Sequence, residues 1–328
     1  MGQRKQSRGL PVNSISYGPV PSRRLGRSLG VNNILPKKCT YSCVYCQLGR
    51  TGDMQIRRAS FYDPLELVCS VKEKVEEVRE KGEAIDYISF VPEGEPTLDI
   101  NLGKEIELLK ELGIKVAVIT NSSLVWDLEV RQELLKADWV SLKVDAVTPE
   151  IWHRINRPQK HLNPKIIIKG IRRFAESFQG ELTSETMLIG GINDGNHELS
   201  EIAEVLAELK PSVAYLAVPT RPPAEAVSPA GEQALNNAYQ IFSDKLKRVE
   251  YLIGYEGNTF ASVGNAVDDL LSITAVHPMR EDAVIEMLNR FGNDRDIVQQ
   301  LVDNGSLAEL PYQGKKYYVR RLPAHRNN

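Results

Sequence analysis

The sequence predicts an α/β protein built on a parallel sheet, and two observations carry that prediction. Six short runs rich in β-branched and aromatic residues recur between residues 28 and 218, and segments with apolar residues at helical spacing separate them. Strands joined by helices need right-handed crossovers, which make neighbouring strands parallel. The chain of 328 residues, with 42% hydrophobic and 26% charged residues, can also cover both faces of such a sheet.

Residues 1–16 carry no periodic pattern and read as a flexible lead-in. Residues 17–27 (YGPVPSRRLGR) read as extended loop and turns, because glycine and proline interrupt them. A first strand is expected over 28–35, with a cysteine-rich loop directly after it. A ligand loop at the carboxyl end of a strand is where α/β folds place their chemistry. A helix over 64–81 places Leu67, Val68, Val71, Val75 and Val78 on one stripe, and Gly82 stops it. Cys69, near the edge of that stripe, reads as a packed thiol. Strands follow at 85–91, 114–120, 139–144, 181–188 and 212–218. Helices alternate with them at 102–112, 125–136, 163–178, 197–209 and 230–247. Asn163 is the expected cap of its helix, with Pro164 in the first turn.

After Gly264 the composition changes. A short helix at 267–271, a β-prone run at 273–276, helices at 280–290 and 294–303, and a hairpin of 306–310 with 315–320 complete the chain. That order is winged-helix-like, so a small second domain is expected over 263–325, beside a larger one over 17–262. Its wing would carry Lys315, Lys316, Arg320 and Arg321 toward a nucleic acid, while Glu281, Asp282, Asp294 and Asp296 oppose phosphate contact.

The formal net charge of −2 conceals a strong segregation. Residues 1–58 hold eleven Lys/Arg and one acid, residues 153–173 hold seven and none, and residues 311–328 hold five and none. An anionic partner is expected, with nucleic acid as one candidate. The amino terminus is polar and basic, and no apolar run approaches a membrane span, so a cytoplasmic protein with no membrane partner is expected.

Cys39, Cys43 and Cys46 are spaced C-x₃-C-x₂-C, with Tyr45 directly before the last. Thiolates at such spacing suit an iron–sulfur cluster or zinc, and structural zinc asks for a fourth ligand that the neighbouring sequence does not offer. Four cysteines in a chain of this length make no disulfide framework. Downstream, Pro92-Glu93-Gly94-Glu95-Pro96-Thr97 directly follows the strand at 85–91, and Thr120-Asn121-Ser122 ends the next one.

These motifs together resemble the radical S-adenosylmethionine (SAM) superfamily. The resemblance implies a partial (β/α)6 barrel and a [4Fe–4S] cluster on Cys39, Cys43 and Cys46. It also implies SAM on the open iron and an external electron donor such as flavodoxin or ferredoxin. In that family reductive cleavage of SAM yields a 5′-deoxyadenosyl radical. Carried over motif by motif, Gly94, Glu95 and Pro96 would meet the SAM amino group, with Thr120, Asn121 and Lys143 facing its carboxylate or ribose. Asp145 would bond a ribose or substrate hydroxyl, while Tyr45, Leu188 and Val218 would border the adenine. The segments VPSRRLGRSLGVNN, CTYSCVYCQLGRT, EGEPTL, SLKVDA and Ile155-Asn156-Arg157-Pro158 resemble the wyosine-base synthases over roughly residues 17–220. No cysteine precedes Cys39, so the second cluster of the archaeal wyosine enzymes has no ligands here. The expected function is a radical SAM enzyme acting on an anionic substrate such as a tRNA nucleoside, which would enter past Arg23, Arg24, Arg154, Asn156 and Arg157. A small metabolite or peptide substrate is the alternative within the class, and an iron–sulfur redox sensor read out by the winged helix is the alternative outside it.

Overall fold

The computed structural model describes residues 15–254, 266–290 and 296–321. The expected lead-in, apart from its last two residues, and the boundary near residue 262 lie outside them. An eight-stranded sheet runs β1 (Ser16–Ser22), β2 (Gly26–Val31), β3 (Tyr87–Phe90), β4 (Lys115–Thr120), β5 (Trp139–Lys143), β6 (Glu181–Met187), β7 (Val213–Ala217) and β8 (Val249–Leu252), in sequence order. From β2 to β8 every pairing is parallel. The sheet curls into a partial barrel, with helices α1 (Pro64–Glu80), α2 (Leu102–Lys110), α3 (Leu128–Leu134), α4 (Pro149–Asn156), α5 (Pro164–Ser177), α6 (Asn196–Leu209) and α7 (Glu232–Ser243) in its connections.

Two edge strands and one helix were absent from the sequence reading. β1 pairs antiparallel to β2 with a register shift between Tyr17 and Val20, and it carries Pro19 and Pro21. An edge strand with a bulge tolerates prolines that a central strand would not. β8 is only four residues long. α4 lies between the strand at 139–144 and the helix at 163–178, where no element was expected, and ends at Arg157 in left-handed backbone.

Alternate residues of each parallel strand face opposite ways. The outward set, including Ile88, Phe90, Val116, Val118, Val140 and Leu142, joins Leu67, Val71, Ile106, Ile171, Phe174 and Leu206 from the helices in one core. Inside the barrel, Leu25 from the β1–β2 turn plugs against Ala117 and Trp139. Asp63 caps α1 by accepting the N–H groups of Leu65 (2.9 Å) and Glu66 (3.3 Å). Asn163 caps α5 through Lys165 N at 3.0 Å, as its sequence position predicts. Cys69 is exposed rather than packed.

Toward the carboxyl end, α8 (Ala266–Val276) continues through the run read as β-prone, and the strand comes later as β9 (Met279–Arg280). α9 (Glu281–Arg290), α10 (Asp296–Asp303), β10 (Leu307–Tyr312) and β11 (Lys315–Arg320) follow, giving a second sheet in the order β10-β11-β9. Gln313 and Gly314, with φ of 47° and 70°, form the two-residue hairpin turn. This unit has its own core around Leu270, Ile273, Met287 and Leu307. Tyr312 and Tyr317 donate their hydroxyls to the carbonyls of Pro219 (2.9 Å) and Thr220 (3.0 Å), just past β7, which ties the hairpin to the barrel. No helix among the described residues is long and apolar enough to cross a membrane.

Candidate active site

The carboxyl ends of the parallel strands converge on the cysteine loop. Cys39, Cys43 and Cys46 lie after β2 and are partly exposed. Two segments grip the loop by backbone hydrogen bonds. Ser42 N and Val44 N donate to the carbonyls of Asn156 (3.1 Å) and Ile155 (3.0 Å), and Glu95 N donates to Lys38 O (3.0 Å). Gly94 makes the second approach possible, because a Cβ there would lie 1.8 Å from Lys38 O. Gly94→Ala must therefore push the turn off the cysteine loop. The expected result is a folded protein whose iron content after reconstitution falls well below that of the wild type, measured by iron assay.

Among the described residues no three His, Cys, Asp or Glu side chains converge tightly enough to hold a single metal ion. A cubane, in which each cysteine ligates its own iron, takes thiols set further apart. Three soft donors together on one loop at the mouth of the barrel fit a [4Fe–4S] cluster with one iron left for a small-molecule ligand. Burial pushes the Cys43 thiol up to about 12; Asp145 adds to the shift, and a hydrogen bond from Asn156 opposes it. Burial raises Cys39 further still. Ligation of a metal therefore works against burial, which favours the protonated thiols.

Around the loop, the side chains named from sequence are brought together, though most are already engaged. Glu95 is 1% exposed. Its carboxylate accepts from Thr97 N (3.1 Å), Thr97 Oγ1 (2.6 Å), Thr120 Oγ1 (2.6 Å) and Asn121 N (2.7 Å). It thus staples the end of β3 to the end of β4, while the Glu95 carbonyl accepts from Leu98 N (3.2 Å) and the Pro96 carbonyl from Asp99 N (3.2 Å) and Asn33 Nδ2 (3.1 Å). Asp145 accepts from Met187 N (2.9 Å), from Asn156 Nδ2 (2.8 Å) and from the Tyr45 hydroxyl. Lys143 stands 4.8 Å from the centre of the Tyr45 ring and 2.9 Å from Glu185. Leu188 is fully buried, its N–H donating to Ala217 O at 2.8 Å, and Val218 lies partly buried beyond β7.

The arginines expected at the substrate path also have partners. Arg24 pairs with Glu185, and Arg23 donates to Ile253 O at 2.6 Å. Arg154 donates to Gly191 O at 3.1 Å, and Arg157 makes a two-pronged pair with Glu225. Asn156 is 3% exposed and turned toward the cysteines.

Glu185 was not singled out from sequence. It sits on β6 directly across from Lys143 on β5. Burial alone would raise its carboxyl, but Lys143 and Arg24 together hold it at about 2. Glu93, beside the glycine turn, is 3% exposed, and burial pushes it up to about 7 against the pull of Arg320 and Lys37. Beneath the loop, Asn121, Lys143, Asp145, Trp152, Asn156 and the inner face of α5 line a small cavity of about 20 Å³.

A curled parallel sheet with three cysteines after its first parallel strand and a glycine–glutamate–proline turn after the next defines a class of enzyme that combines a cubane with SAM. The model of the radical SAM superfamily matches residues 33–206, and the chain belongs to that superfamily. It is therefore a radical SAM enzyme that uses a [4Fe–4S] cluster and SAM. A UPF0026 protein of Methanocaldococcus jannaschii is 43% identical over 318 residues, covering 96% of this chain and 98% of that one. Among solved structures, a radical SAM methyltransferase from Sphaerobacter thermophilus superposes with a TM-score of 0.52 at 20% identity, over 69% of this chain and 67% of that chain, which is a likeness of fold. TYW1 with a lysine–pyruvate adduct bound gives a TM-score of 0.46 at 12% identity, over 90% and 80% of the two chains.

Proposed function

We propose that this enzyme abstracts hydrogen from an anionic, nucleotide-bearing substrate, with a tRNA nucleoside as the best candidate. The observation that carries this reading is the outer face of α5 and the loop before it. Lys160, Lys165, Lys169 and Arg173 are exposed there, in a stretch without an acid, while Ile167, Ile168 and Ile171 on the opposite face line the cavity under the cysteines. A polyanion lying on that face would bring a splayed-out base to the barrel mouth. The resemblance of residues 17–220 to the wyosine-base synthases supports the same substrate class. Arg24, Arg154 and Arg157, being paired internally, are read as parts of the wall.

Bound at Cys39, Cys43 and Cys46, the cluster with SAM supplies a 5′-deoxyadenosyl radical on reduction by an external donor such as flavodoxin or ferredoxin. The chain's own residues hold and shield it. The Gly94–Pro96 turn meets the SAM ammonium, Thr120 and Asn121 flank its carboxylate, and the backbone at Leu188 and Val218 borders the adenine. Tyr45, held by Asp145 and under Lys143, closes one side of the pocket. We read the C-terminal unit as winged-helix-like. Its hairpin hydroxyls on Pro219 and Thr220, and the pairing of Lys316 with Glu281 and Glu309, favour a wall beside the barrel over a free reader of duplex DNA.

Two measurements test the substrate. Nucleosides from the tRNA of a deletion strain are expected to lack one modified base that the parent contains. The triple variant Lys165→Ala, Lys169→Ala, Arg173→Ala is expected to bind tRNA more weakly, with a log–log salt slope shallower by roughly 2–3. Identical nucleosides together with identical salt curves would leave a small metabolite or a peptide as the substrate.

A further inference from the structure

Two side-chain amides aim N–H groups at the ligand sulfurs. Asn156 Nδ2 lies 3.4 Å from Cys43 Sγ, and Asn121 Nδ2 lies 3.5 Å from Cys39 Sγ. Independent partners fix the orientation of each amide. The second hydrogen of Asn156 goes to Asp145 Oδ2 at 2.8 Å. Asp145 Oδ2 also accepts from the Tyr45 hydroxyl, so turning this amide over would set oxygen against both that acceptor and the sulfur. For Asn121, Oδ1 accepts Ser123 N–H at 3.0 Å, and Nδ2 also donates to Thr40 Oγ1 at 2.8 Å. Nitrogen must therefore face sulfur in both cases. Asp145 is itself pinned by Met187 N and the Tyr45 hydroxyl, and Asn156 is buried away from water that could replace its bond.

We propose that Asn156 and Asn121 are positioning residues that set the reduction potential of the cluster through N–H···S hydrogen bonds to Cys43 and Cys39, with Asp145 holding Asn156 in place. This rests on the cubane being bound by the three cysteines. Reduction adds negative charge to the cluster and its sulfurs, so a donor aimed at sulfur stabilises the reduced form and raises the potential. In a buried setting that effect is stronger than it is in water. The Ile155–Pro158 motif thereby gains a role at the cluster: its backbone grips the cysteine loop, and its asparagine tunes the metal.

The experiment is a potentiometric titration of the anaerobically reconstituted full-length protein without SAM, followed by electron paramagnetic resonance of the reduced cluster. Asn156→Ala and Asn121→Ala are each expected to hold iron as the wild type does. At a fixed potential each shifts the oxidised-to-reduced ratio about tenfold toward oxidised, which is about 59 mV more negative for one electron. Asn156→Ser, which retains a donor, is expected to fall between. Cubanes with wild-type potentials in both alanine variants overturn the proposal and leave the cluster assignment standing. A wild-type protein that takes up no cubane overturns the cluster assignment as well. Should the alanine variants fail to load, wild-type protein carrying ¹⁵N-asparagine decides the matter. A nitrogen coupling to the reduced cluster supports the proposal, and its absence overturns it.

Discussion

Cys43→Ala is expected to form no 5′-deoxyadenosine from SAM under reducing, anaerobic conditions, and to lose the broad visible absorption of the cluster. Cys39→Ala and Cys46→Ala behave alike. This follows from the proposed ligand set of Cys39, Cys43 and Cys46, the three cysteines of the loop. Two thiolates leave two irons of a cubane exposed, and such clusters are lost. Removing a group that merely supports a ligand costs about 10–100-fold, so removing a ligand exceeds that. Cys69→Ala is the matched control. That thiol is exposed on α1, well apart in sequence from the loop, and its loss leaves iron content and product yield at wild-type levels. Iron and sulfide per chain and product by chromatography decide it. A Cys43→Ala protein that keeps its cubane, or a Cys69→Ala protein that loses it, contradicts this ligand set.

The central strands were legible because parallel strands are buried on both faces, so runs such as KVAVIT and WVSLK stand out against the helices between them. β1 and β8 were not, for opposite reasons. β1 carries two prolines that only its edge position permits, and β8 is too short for a pattern. The run 273–276 has β-branched residues but lies in α8, where Ile273 packs in the C-terminal core and Thr274 returns its hydroxyl to Leu270 O. There tertiary packing overrides propensity. In the site, the cysteines and the glycine turn are local motifs and could be read directly. What a local motif cannot show is which way a side chain points. Asn156 and Arg157 looked like substrate contacts because they are polar and basic, yet one faces a cysteine and the other a glutamate. Glu185 was passed over because its meaning depends on register. Only the pairing of β5 with β6 sets it opposite Lys143.

Glu185→Gln is expected to lower the thermal midpoint by about 4–6 °C, the equivalent of about 3 kcal/mol. The carboxylate is buried inside the barrel between Lys143 and Arg24, whose side chains are 18% and 16% exposed. An amide keeps the shape but removes the carboxylate shared by two buried cations, leaving only Asp145 near Lys143, and that loss outweighs the hydrogen bonds the amide can still accept. The pH dependence gives an independent check. Between them the two cations outweigh burial and hold Glu185 at about 2, below its ordinary 4.5. A carboxyl depressed by folding supplies its full stabilisation above the ordinary value and loses it as pH falls through the folded one. Wild-type stability should therefore decline between about pH 4.5 and 2, and the glutamine variant should decline less steeply over that interval. Adding Lys143→Met to Glu185→Gln removes one stranded charge and should recover part of the lost midpoint. An unchanged midpoint in Glu185→Gln would mean that water reaches the triad. The consequence would extend to the cysteine loop, because the same Lys143 lies against Tyr45, which stands directly before Cys46.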